Sequence, residues 1–229
     1  MKLQDIIPCS FQVLRQRLGL NDPDHDDLVK RSRSNDSELC REMVGVFGLS
    51  ESQMLHAAER YRLGCSRSGK TIYWMIDEQG FVCDGHIGTG SIAPDSWVST
   101  LLQRRYPELA PYLTPIHGLF GQHLIGNTDT EASTKDIPVC VVESERTAVV
   151  FSELFPERLW LAYVYPANLT VQCFKPLQGR TVILFSSPDP TGEEYLSVLD
   201  FADQVRCRYP SINLRISAVF DSLSVLRTE

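Results

Sequence analysis

The feature that most constrains this chain is the alternation of short apolar runs with helical stretches in its C-terminal part. IPVCVV at 137–142 is apolar without a polar interruption, as a strand covered on both faces requires. ERTAVVFSELF follows with apolar residues at helical spacing, then a second buried run, LWLAYV, then a Pro-rich irregular region. TVILFS is the third run, TGEEYLSVLDFADQVRCRYP a helix opened by a Thr191-x-x-Glu194 capping box, and INLRISAV a fourth strand. Strand and helix in this order predict an α/β fold. It is a small parallel sheet with helices on both faces, joined by right-handed crossovers.

The N-terminal part is built differently. FQVLRQRLGL, SELCREMVGVFGL and SESQMLHAAERYRLG read as amphipathic helices, the last behind a capping Ser. TIYWMIDEQGFVCDGHIG predicts a β-hairpin, with strands Thr71–Ile76 and Phe81–Ile87 around the turn Asp77–Gly80. SWVSTLLQRRYPEL predicts a helix from about Ser96 to Tyr106. This α+β module with its hairpin spans 1–126. The polar stretch NTDTEASTKD at 127–136 is a linker, and the parallel α/β domain occupies 137–229.

GCSRSGKT, Gly64 to Thr71, fits the phosphate-loop pattern G-x-x-x-x-G-K-[ST]. That loop needs a strand before it and a helix after it, because the helix N-terminus supplies part of the anion site. Here a helix precedes and a strand follows, so no ATP is expected at Gly64–Thr71. Gly64 is expected to end the helix and a turn to lead into the hairpin. Cys83-x-x-His86 and His117-x5-His123 lack the spacing of a familiar structural zinc site.

Composition narrows the function classes. A net charge of −7 over 229 residues argues against a surface that coats DNA non-specifically. No stretch reaches the apolar length of a bilayer span, and Arg15 and Arg17 interrupt the amphipathic start where a signal peptide needs apolar residues. The seven cysteines are scattered and contain no C-x-x-C, which fits reduced thiols in the cytoplasm.

In open parallel sheets, ligands sit beyond the carboxyl ends of the strands. The first predicted strand ends in VVESE, with Glu143 at its tip and Glu145 in the first turn of the following helix. The third ends in SSPDPTG, with Ser186, Ser187 and Asp189 in the loop before Gly192. Carboxylates at strand tips suit a hard cation such as magnesium, and one of them suits proton transfer. A plainer reading stands beside this one: Glu143 and Glu145 favour a helix N-terminus, and Asp189-Pro190 makes a rigid turn.

VVESERTAVVFSELFPERLWLA followed by GRTVILFSSPDPTGEEY resembles a Toprim domain, a Rossmann-like fold shared by primases, topoisomerases and small nucleases. GKTIYWMIDEQGFVCDGHIG and LFGQHLIG, in that order upstream, resemble a Toprim-containing family linked to mobile-element primases. The resemblance covers about residues 60–200. It implies that Glu143 is the acid, base or metal ligand, and that the second signature, D-x-D-x-x-G, ends at Gly192. In that register Ser187 replaces the first Asp and Asp189 matches the second; Ser144 stands where a Gly is common. A neutral Ser187 beside Glu143 and Asp189 implies weak magnesium binding. Two functions then compete. One is a degenerate, DNA-replication-related module that binds nucleic acid or replication proteins. The other is a metal-dependent nucleotidyl or phosphoryl transferase, or nuclease, using Glu143 and Asp189.

Overall fold

The computed structural model describes residue 29 and residues 32–88, 97–105, 107, 118–126, 136–164, 169–186 and 193–217. The chain divides into two units, Met1–His123 and Leu124–Glu229. The predicted linker lies almost wholly outside the described residues, as do the first amphipathic stretch and Thr191 of the expected capping box.

The first unit holds two short helices, α1 (Glu38–Gly45) and α2 (Glu51–Arg60). Ser50 caps α2 in a full capping box: its hydroxyl accepts from Gln53 N, and the Gln53 side chain accepts from Ser50 N. An antiparallel sheet follows in the order β1 (Gly64–Cys65), β2 (Thr71–Ile76), β3 (Val82–Ile87). The β2–β3 turn works through Asp77, whose Oδ1 accepts from Gln79 N and Phe81 N, both at 2.9 Å, while Gly80 takes φ +88°. Every residue of β2 is buried, with Ile72, Trp74 and Ile76 in a cluster with Val29 and Val82. The next helix is α3 (Val98–Arg105); Ser96 and Tyr106, the ends of the predicted one, lie outside the described residues.

The phosphate-loop look-alike is a hairpin tip. Gly64 pairs with Ile72 and Cys65 with Thr71, so strand, turn and strand occupy the stretch. The expectation that Gly64 ends a helix is corrected. α2 stops at Arg60, its cap is Tyr61, and Arg62 takes the left-handed φ of +53°. Gly64 is required for a different reason: a Cβ there would stand 2.6 Å from Ser32 Oγ and 2.9 Å from Trp74 Nε1.

The second unit is a four-stranded parallel sheet in the order β5 (Leu159–Ala162), β4 (Val139–Val142), β6 (Thr181–Phe185), β7 (Asn213–Ser217). α4 (Glu145–Leu154) joins β4 to β5, and α5 (Glu193–Arg208) joins β6 to β7. The two connections run in opposite directions across the sheet, so right-handed crossovers set α4 and α5 on opposite faces. Phe151 of α4 meets Trp160 edge-on at 5.0 Å, and Phe174, in a 3-10 segment at Val171–Leu177, meets Phe201 of α5 at 5.4 Å. TVILFS is not covered equally on both faces as expected. Val182 and Leu184 are buried while Thr181, Ile183 and Phe185 are half-exposed, because α4 lies over β4 and β5. No helix among the described residues is long and apolar enough to cross a membrane.

Candidate functional site at the carboxyl edge of the sheet

β4 is four buried residues, and the chain leaves it at Glu143, which is half-buried. Ser144 is the N-cap of α4, in extended conformation, and its side chain makes no capping hydrogen bond. Glu145 is the first helical residue and only 5% exposed, where the helix N-terminus favours a negative charge. Both acidic residues therefore sit at the strand-to-helix junction where their spacing placed them.

Register brings further groups to the same level. Val141 pairs with Leu184 on β6, and Glu143 and Ser186 each follow that pair by two residues, past the ends of their strands. On the other side Val142 pairs with Ala162 and accepts from Tyr163 N at 3.0 Å, which sets Tyr163 beside Glu143. Ser186 is 1% exposed, and its Oγ has no hydrogen-bond partner among the described residues. At the tip of β5, Val164 holds φ +63°, a strained region for a β-branched residue. Ser187 and Asp189 lie outside the described residues.

The oxygen donors in view are the carboxylates of Glu143 and Glu145 at the end of β4 and the sealed hydroxyl of Ser186 at the end of β6. Oxygens are what a hard cation takes. Among the described residues no group of three His, Cys, Asp or Glu side chains is placed to hold a metal. Cys83 and His86 lie in β3, and His123 Nε2 donates to the Arg60 carbonyl at 3.0 Å.

Sequence reasoning passed over two residues, Asp84 and Val164. Asp84 is fully buried in β3. Its carboxylate accepts from Gly85 N (2.7 Å), Ser99 N (3.0 Å) and Ser99 Oγ (2.5 Å), so a strand residue caps α3. An acid inside the β-rich run FVCDGHI was the available signal. Val164 had no such signal.

The sequence model of a domain of unknown function, DUF6371, matches residues 37–189. No curated protein matches the chain. Three solved structures share its fold. The E. coli primase catalytic core aligns with a TM-score of 0.54 at 12% identity, covering 88% of this chain and 74% of that one. A DnaG catalytic core gives 0.53 at 12% identity, with 88% and 74% covered. A DnaG primase catalytic domain bound to single-stranded DNA gives 0.52 at 12% identity, with 89% and 76% covered. At this identity the likeness carries the fold alone.

Proposed function

This chain belongs to the DUF6371 domain family, and from that premise we propose that it is a Toprim-like relative of mobile-element primases, working as a binding or accessory module. In this reading it is a cytoplasmic protein whose partners are nucleic acid or replication proteins. Its magnesium site is degenerate, with Glu143 and Asp189 as charged ligands and Ser187 as a neutral, weaker one. The observation that carries the reading is the place of Glu143: at the carboxyl edge of a parallel sheet whose fold is that of primase catalytic cores. The strand–turn–strand geometry of Gly64–Thr71 supports the absence of an ATP site there.

A magnesium site here would be weak: of the proposed ligands only Glu143 lies among the described residues, and no group of three His, Cys, Asp or Glu side chains among them is placed to hold a metal. Glu143 is half-buried at the strand tip, and Glu145, the first residue of α4, is a further acidic group and is buried. When bound, the ion would supply positive charge for phosphate oxygens. The chain's own contribution is positional: the rigid strand tip holds the carboxylate half-exposed to a ligand.

A transferase or nuclease reading remains the second one, favoured by the retained carboxylate of Glu143 at the strand tip. One experiment separates the two. Single-stranded DNA binding is followed by fluorescence anisotropy with and without magnesium, and the same mixtures, supplied with nucleotides, are analysed for new or broken phosphodiester bonds. Binding that survives a chelator, with no change in the DNA, is the expected result. Product that appears with magnesium or manganese and disappears in Glu143→Gln would establish the enzyme. Absence of DNA binding at low salt, where phosphate contacts are strongest, would remove nucleic acid as the partner.

A further inference from the structure

Among the described residues β7 is the last strand of the parallel sheet, with no strand beside its outer edge. Such an edge is a template for another chain unless something closes it. The register says which groups lie there. Thr181 pairs with Asn213, and Asn213 N donates to the Arg180 carbonyl. Asn213, and by alternation Arg215 and Ser217, therefore turn their peptide groups to β6, while Leu214 and Ile216 turn theirs outward. Leu214 is closed twice. Its N–H donates to the Ile212 carbonyl at 3.0 Å, and its own carbonyl accepts from Arg206 Nη2 of α5 at 3.1 Å. The other arm of that guanidinium, Nη1, donates to Asp203 Oδ1 at 2.7 Å, three residues earlier on the helix.

The Arg206 and Asp203 side chains are 42% and 71% exposed, so the ion pair between them adds little stability. Its place matters more, because it fixes an arginine across a strand edge. We propose that Arg206, anchored by Asp203, is a gatekeeper that keeps β7 from pairing with β7 of a second copy of this chain. Strand addition needs the Leu214 carbonyl as an acceptor, and Arg206 occupies it. The same edge on a second copy offers the same groups, so antiparallel pairing about a two-fold axis is self-complementary. It closes as a dimer with one continuous sheet. The proposal is independent of what the carboxyl edge of the sheet binds.

The test is the mass of the full chain by sedimentation over a range of protein concentrations, with hydrogen exchange read at the Ile216 amide. Wild type should keep one mass throughout, and its outward Ile216 amide should exchange fast. Arg206→Ala should move towards the mass of a dimer as concentration rises, with Ile216 becoming protected in step, since pairing engages that N–H. The substitution makes an acidic chain more acidic, which by itself opposes association. Arg206→Lys keeps a donor for the carbonyl and should hold the wild-type mass. Asp203→Asn leaves the arginine but loosens its anchor, and should fall between; it carries the test if Arg206→Ala does not fold. A folded Arg206→Ala of constant mass would overturn the proposal. So would association that leaves Ile216 unprotected, because another surface would then be the adhesive one. A wild type that already associates with Ile216 protected would show the edge to be open, and would overturn it as well.

Discussion

His123 shows how much one buried ring can decide. It is 9% exposed, its Nε2 donates to the Arg60 carbonyl at 3.0 Å, and its Nδ1 has no hydrogen-bond partner among the described residues. Burial pushes its pKa down from 6.5 to about 4; the bond to Arg60 opposes this, and the charges of Arg62 and Arg60 add to the lowering. Above pH 6.5 the ring is neutral in both folded and unfolded chains and costs nothing. As pH falls from 6.5 towards 4, the unfolded chain takes up a proton that the folded one refuses, so stability declines. The gap corresponds to about 3 kcal/mol once complete. His123→Gln keeps a donor for the Arg60 carbonyl and does not titrate. Chemical denaturation at pH 7 and pH 4.5 should show wild type losing more stability than the variant. Equal losses in the two proteins would show that the ring is not held neutral.

At the scale of elements, the hairpin and the parallel sheet were legible in sequence because each follows a local rule. TIYWMI and VCDGHI are β-rich runs around an Asp–Gly turn, and PVCVV and LWLA are too apolar and too short for anything but covered strands. Glu143 and Glu145 were legible for the same reason, since a strand-to-helix junction fixes them by counting. Contacts distant in sequence were not. Nothing local says that Asp84 caps α3, or that Gly64 and Gly85 are glycines because one indole lies against both. A Cβ on Gly85 would stand 2.8 Å from Trp74 Cε3 and Cζ3 and 2.9 Å from Val98 Cγ2. Trp74 is 3% exposed with its Nε1 bonded to Ser32 Oγ at 3.0 Å, so it has little freedom to move. Gly85→Ala should therefore cost about 1–3 kcal/mol, the usual cost of overpacking. Gly45→Ala is the comparison, since a Cβ there meets nothing within 4 Å. A Gly85→Ala protein as stable as Gly45→Ala in denaturant would show that the indole site is looser than its packing implies.

At the scale of the whole molecule, each unit builds a core from its own residues. In the first, Tyr61 stacks on Phe120 at 5.2 Å and Phe120 meets Tyr73 edge-on at 5.6 Å. In the second, Trp160 and Phe185 lie 5.8 Å apart, and Val139, Val141, Leu161 and Leu184 are fully buried. NTDTEASTKD, which lies near the start of the second unit, contains no large apolar side chain. Apolar burial is what holds each unit against chain entropy, and a cut in this stretch removes no large apolar side chain, though it separates the buried Leu124 and Ile125 from the rest of the second unit. A protease recognition site inserted between Asn127 and Asp136 should therefore be tolerated, and cleavage should leave both units folded. Hydrogen exchange measures this directly: the amides of β2 and β4 belong to the most buried strands and should stay slowly exchanging before and after the cut. Loss of protection in either strand on cleavage would mean that one unit depends on covalent connection to the other. In that case the primase-like fold would be a single cooperative body, and binding by either half could not be assigned without the whole chain.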